Sequence, residues 1–155
     1  MARRLLKGNA MPPAVSALPG SNRLHLPAEA LTTAQKLVPL IAETAVERDR
    51  AGGTPERERD LLRESGLLTL SIPERYGGLG ASFSEALSIV RLFATVDGSL
   101  AHVFGFQQLM LATVRLFGSE EQYTRAYVET VKNAYFWGNA LNPPGSAHDP
   151  SSGRS

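Results

Sequence analysis

Between Leu100 and Phe117 the chain is apolar on nearly every side, with Val103, Phe104, Phe106, Leu109, Met110, Leu111, Val114 and Leu116 leaving no clean polar face. A helix of that kind has to be surrounded, so this stretch predicts the middle member of a helical bundle. The residues that bracket it supply neighbours. Gly118 ends the run, and the sequence SEEQ at 119–122 has the form of a capping box, opening a helix on which Tyr123, Tyr127 and Val131 share a face. On the other side, Asp97 and Gly98 interrupt the pattern, and Ser99 is placed to cap. Ser82 and Glu85 form a second capping box, ahead of a helix whose Phe83, Ala86, Leu87, Val90, Phe93 and Val96 read as its core face.

Two more helices precede these. From Ala28 to about Asp49, Leu31, Leu37, Val38, Ile41, Ala45 and Val46 recur at helical spacing, and Pro39 is expected to kink the helix or restart it. Gly52 and Gly53 close it. Thr54, Pro55 and Glu56 then read as N-cap, first-turn proline and an acid at the positive end of a helix running to about Ser65, with Gly66 as its stop. The reading is all-α with five helices. The only strand signal is YFWGNAL at 135–141, followed by a proline-, glycine- and serine-rich ending. The expected layout is a basic, disordered tail over 1–27, a helical domain over 28–133, and the start of a truncated β domain over 134–155. At 155 residues and 43% hydrophobic content there is room for one core-forming domain and not for a second.

Charge and composition exclude several classes. Sixteen basic and fifteen acidic residues leave a net charge of +1, which gives no electrostatic basis for a nucleic-acid partner. The absence of cysteine rules out disulfides, thiolate metal sites and a cysteine nucleophile. No uninterrupted apolar stretch reaches the length of a membrane span, and the basic opening segment lacks a signal-peptide core, so a cytoplasmic protein with no membrane partner is expected.

Few residues offer chemistry. The stretch SIPERYGGLGAS at 71–82 places three glycines in four positions ahead of a helix, as a phosphate-binding loop would. It lacks the preceding strand and the lysine of such loops and reads as a structural turn. His25, His102 and His148 are too scattered to share a metal, and His102 is expected to be a hydrogen-bonded core residue. The carboxylates between Glu43 and Glu64 sit among arginines as on a solvated helix face, so no catalytic residue is assigned. Gln107 and Gln108 stand in the middle of the apolar helix. They must find hydrogen-bond partners between helices or line a pocket, because an unpaired buried amide costs about 1–3 kcal/mol.

In order along the chain, PERYGGLGAS, DGSLAHVFGFQQ, LFGSEEQ and YFWGNALNPPGSAHD resemble the N-terminal helical domain of the acyl-CoA dehydrogenase family over roughly residues 30 to 149. These are flavoproteins with a helical domain, a small β domain and a C-terminal bundle. The resemblance implies a five-helix domain of that type, ending in the first strand of a β domain. By implication its function is oxidation of an acyl-CoA CH–CH bond with FAD, performed with the remaining domains and not by this chain alone. WGNALNP is most similar to a branch that includes flavin-dependent monooxygenases acting on organosulfur compounds, which implies the alternative of reduced FMN activating oxygen. A non-enzymatic helical interaction module is a further alternative. The family's flavin-contact motif A-L-T-E-P-G-A-G-S-D is matched by Ala140, Leu141, Pro144, Gly145 and Asp149, with Asn142, Pro143 and His148 departing from it. By resemblance, Asn139, Leu141, Asn142 and His148 are the cofactor-binding candidates. Gln107 and Gln108 fall where the family's fourth helix borders the substrate cavity and are the substrate-binding candidates. The implied partners are an acyl-CoA or another small organic substrate, and a second copy of the protein when the remaining domains are present.

Overall fold

The computed structural model describes residues 27–138. Among them are five α-helices: α1 (Pro27–Ala51), α2 (Glu56–Glu64), α3 (Phe83–Ala94), α4 (Gly98–Phe117) and α5 (Glu120–Asn133). Two 3-10 turns, Leu67–Thr69 and Glu74–Tyr76, lie between α2 and α3.

The main core is built by α1, α2, α3 and the first half of α4. Ala30, Ala34, Leu37 and Ile41 from α1 meet Leu62, Leu67, Leu68, Ile89, Phe93, Leu100 and Phe104. Phe93 of α3 and Phe104 of α4 meet edge to face with centroids 5.4 Å apart, a geometry worth about 1 kcal/mol beyond the area it buries. A second cluster of Ile72, Tyr76, Leu111 and Tyr127 joins the later turns of α4 to α5. As expected, Tyr123 and Val131 pack beside Tyr127.

The helix faces differ from the sequence reading. On α1 the exposed residues include Leu31 and Val46, and the buried stripe is made by the alanines as much as by the larger side chains. On α3 Phe83 and Leu87 are exposed, and Ala86, Ile89 and Phe93 turn inward. Apolar residues occupy more than half of that helix's circumference, so periodicity leaves the inward direction open and the packing against α4 selects it. Pro39 does not restart α1, which is continuous through it. Pro39 is exposed, so the backbone carbonyl that its missing N–H leaves free lies on the solvent side.

The ends of the helices follow their caps. Ser82 and Ser119 each accept from the backbone N–H three residues on, and Glu85 and Gln122 return the bond, completing both capping boxes. α4 begins earlier than expected because Asp97 is the cap: its carboxylate accepts from Leu100 N at 2.8 Å, and Ser99 lies inside the helix. Thr54 does not cap α2; Pro55 occupies the N-cap position without a side-chain bond.

α4, with 20 residues, is long and apolar enough to cross a membrane by length and composition. Here it packs one face, Leu100, Ala101, Phe104, Gln107, Gln108 and Leu111, into the domain. Its opposite side leaves Val103, Leu109, Leu116 and Phe117 exposed, so α4 is a wall of the described domain and not its surrounded centre. Residues 134–138 form no strand. Among the described residues no second strand lies beside them, and a lone extended segment has no ladder to join. Residues 139–141 of the expected strand lie outside the described residues.

Candidate functional site

The glycine-rich loop uses its amides internally. Leu79 N donates to Thr69 O, Gly80 N to Ile72 O at 2.8 Å and Ala81 N to Leu70 O at 2.9 Å, while Tyr76 N and Gly78 N both donate to Pro73 O. A phosphate cradle needs those donors free. The loop is a clip that folds 79–81 back along 69–72, with Gly77 and Gly80 at positive φ.

Gln107 and Gln108 are buried with both ends of each amide engaged. Gln107 Nε2 donates to Leu68 O at 3.4 Å, and its Oε1 accepts from Trp137 N at 2.8 Å. Gln108 Nε2 donates to Leu67 O at 3.3 Å, and its Oε1 accepts from Ser71 Oγ at 2.7 Å. Both therefore lie on the packed side of α4. They bind it to the 3-10 region and to the segment that follows α5.

That segment is held from several directions. Trp137 Nε1 donates to Thr130 Oγ1 at 2.6 Å. The guanidinium groups of Arg59 and Arg63 lie 5.6 and 5.2 Å from the centroid of the Phe136 ring. Sequence reasoning missed Thr130, Arg59 and Arg63; the four-residue spacing of the two arginines on α2 was the available signal.

His102 is exposed and stacks on Phe106 with ring centroids 4.5 Å apart, which overturns its expected place in the core. Its position follows from the faces of α4: with Ala101 and Phe104 turned inward, residue 102 must point out.

Two other polar groupings are structural. Arg48 on α1 reaches Glu58 of α2 at 3.2 Å and Asp97 at 2.7 Å, and Thr44 donates to the other oxygen of Glu58 at 2.7 Å. Glu58 is almost fully buried, so it departs from the solvated face expected for the carboxylates of this region. Removing Arg48 from such a cluster would cost about 3 kcal/mol, because two carboxylates would lose their counter-charge. A cleft of about 150 Å³ beside it is lined by Arg48, Gly52, Gly53, Asp97 and Ser99; its arginine is already neutralised. At the far end, Tyr76, Tyr123 and Tyr127 pack together. Side-chain hydrogen bonds with Thr124 and Arg75 hold the Tyr76 phenol below its ordinary pKa, whereas burial raises that of Tyr127. Among the described residues no group of three potential metal ligands comes together. Asn139, Leu141, Asn142 and His148 lie outside the described residues.

Residues 29–132 match the model of the acyl-CoA dehydrogenase N-terminal domain. The chain belongs to the acyl-CoA dehydrogenase family. Within that family it is 56% identical over 117 residues to a probable FMNH2-dependent monooxygenase, SfnC, of Pseudomonas putida, an alignment covering 76% of this chain and 30% of the relative. The structure of methanesulfinate monooxygenase MsuC from Pseudomonas fluorescens superposes with a TM-score of 0.71 at 62% identity, covering 74% of this chain and 30% of that one. The dibenzothiophene monooxygenase TdsC of Paenibacillus sp. A11-2, solved with FMN and indole, superposes with a TM-score of 0.67 at 44% identity, covering 70% of this chain and 27% of that one. The chain thus spans about 30% of the length of these relatives. What it contributes to the family fold is the helical N-terminal domain, with α4 as its exposed apolar wall.

Proposed function

We propose that this chain provides the N-terminal domain of a reduced-flavin-dependent monooxygenase acting on small organosulfur compounds, in which α4 forms one wall of the flavin and substrate site. The observation that carries this reading is its identity of 44 to 62% to FMN-linked and sulfur-compound monooxygenases across most of the chain. The geometry fits a flavin in two respects. An isoalloxazine needs an apolar wall, and the outward side of α4 offers Val103, Phe106 and Leu109 with the single imidazole of His102 among them. It also needs nearby backbone and amide groups, and Trp137, two residues before Asn139 in the sequence, has its main chain bonded to α4. In this reading Asn139, Leu141, Asn142 and His148 contact the flavin. Gln107 and Gln108 serve the substrate wall from behind, fixing its position and not touching substrate directly.

Reduced FMN, when bound, would supply the oxygen-activating chemistry. The chain's own residues exclude water on the α4 side and orient the apolar substrate; the His102 imidazole offers a proton donor or acceptor at that wall. The protein is cytoplasmic in this reading, and the defined homo-oligomer forms only with the remaining domains of the family fold. The other activity open to the family is acyl-CoA oxidation with FAD.

A domain exchange separates the two. Residues 1–149 of this chain would replace the matching region of the Pseudomonas fluorescens methanesulfinate monooxygenase. The expected result is a folded chimera that takes up FMN and oxidises methanesulfinate only with reduced FMN and oxygen. A folded chimera that instead reduces FAD with an acyl-CoA, or an isolated 155-residue chain that holds stoichiometric flavin and turns over an acyl-CoA, would overturn the proposal.

A further inference from the structure

Residues 134–138 join α5 to the segment assigned above to flavin contact, and they are held by three helices. The main chain of Trp137 is tied to α4 through Gln107 Oε1, at 2.8 Å. Its indole is tied to α5 through Thr130 Oγ1, at 2.6 Å. Phe136 lies under Arg59 and Arg63 of α2 and packs against the main core. Ala134, the non-glycine residue at positive φ among the described residues, turns the chain out of α5 at φ 50° while its N–H closes on Thr130 O at 2.9 Å. Bonds from two helices to the main chain and the side chain of one residue fix both its position and its rotation.

The geometry of Gln107 indicates what its burial is for. Its bond to Leu68 O is long, at 3.4 Å, and its bond to Trp137 N is short, at 2.8 Å. The stronger interaction is with the exit segment and not with the packing of α4. Thr130 is arranged in the same way: its hydroxyl donates to Ala126 O at 2.7 Å, which leaves the oxygen lone pair free to accept from the indole.

We propose that Gln107 is a positioning residue which, with Thr130, clamps Trp137 and sets the direction in which the chain leaves the helical domain ahead of the flavin-contact candidates Asn139, Leu141, Asn142 and His148. The proposal rests on the flavin reading for its purpose, and its geometry stands without flavin.

Trp137 is the only tryptophan in the chain, so its indole N–H gives a unique nuclear magnetic resonance signal in the spectrum of the 155-residue chain. In Thr130→Val, indole hydrogen exchange is expected to speed up about ten-fold, the effect of losing one part-buried hydrogen bond. The backbone amide signals of residues 139–149 should move while those of α1 and α3 stay in place. Thr130→Ser, which keeps the hydroxyl, should restore both. Gln107→Met should shift the same 139–149 signals; if that variant does not fold, the Thr130→Val and Thr130→Ser pair still decides. An indole that exchanges freely in the wild type, or 139–149 signals unmoved in Thr130→Val once the indole is released, would overturn the clamp. No flavin enters these spectra. A failure of the flavin reading would appear as a folded chimera that takes up no FMN, and so is distinguishable from a failure of the clamp.

Discussion

At Gly78 a side chain has no room. A Cβ there would come within 2.1 Å of the Ile72 carbonyl oxygen and 2.4 Å of Ile72 Cβ, and Ile72 is fully buried. Gly78→Ala is therefore expected to cost about 3 kcal/mol, read from urea unfolding, because the clip between 69–72 and 79–81 must open to admit the methyl group. Gly98 is the control. It has nothing within 4 Å and stands at the start of α4, so Gly98→Ala should be neutral or stabilise by about 0.5 kcal/mol. Equal stabilities for the two variants would refute this account of the loop. Sequence reasoning recognised these glycines as a turn because the strand and lysine of a phosphate loop were lacking. It could not find Ile72 as the reason for Gly78, since that contact depends on how the loop folds back. The glutamines were legible to the same depth: their amides had to be paired, but Trp137 and Ser71 as partners lie 30 and 37 residues away.

The helices were legible where local chemistry decides them. Both capping boxes formed as the sequence indicates, since a serine and an acid or amide three residues later interact within one turn. The Ser82–Glu85 box has a consequence in pH. Hydrogen bonds from the Ser82 backbone and hydroxyl lower the Glu85 pKa from its ordinary value near 4.5. A lowered folded pKa means that the box contributes fully above the unfolded value and loses its contribution as pH falls through the folded one. Thermal melts of wild type and Glu85→Gln from pH 7 to pH 2.5 should show a steeper acid loss in the wild type. Parallel curves would remove the box from the acid response. The inward faces were less legible. Leu87 and Ile89 are both apolar and lie on the same short helix, and the choice between them was made by the packing of α3 against α4 and α1, which puts Ile89 in the core and leaves Leu87 exposed.

In the molecule as a whole, the long apolar run that predicted a surrounded helix instead presents a face. Leu116 and Phe117 are 74% and 85% exposed, and Val103 and Leu109 also reach the surface. Exposed apolar area of this kind promotes association. The 155-residue chain is expected to show concentration-dependent self-association in sedimentation velocity, reduced by the double variant Leu116→Lys, Phe117→Ser. A strict monomer at high concentration would contradict this and would also count against the interaction-module alternative. The sequence by itself determined the number of helices, the residues of both capping boxes, the structural use of the glycine loop and the family. Each of these depends on interactions within a turn or two of helix or on the order of motifs along the chain. Only the tertiary structure decided which side of α4 is buried, that His102 faces outward, and that Gln107 reaches Trp137. The physical reason is that α4 is apolar almost all round: hydrophobicity requires some face of it to be covered, and only contact with α3, α5 and the 69–81 clip selects which.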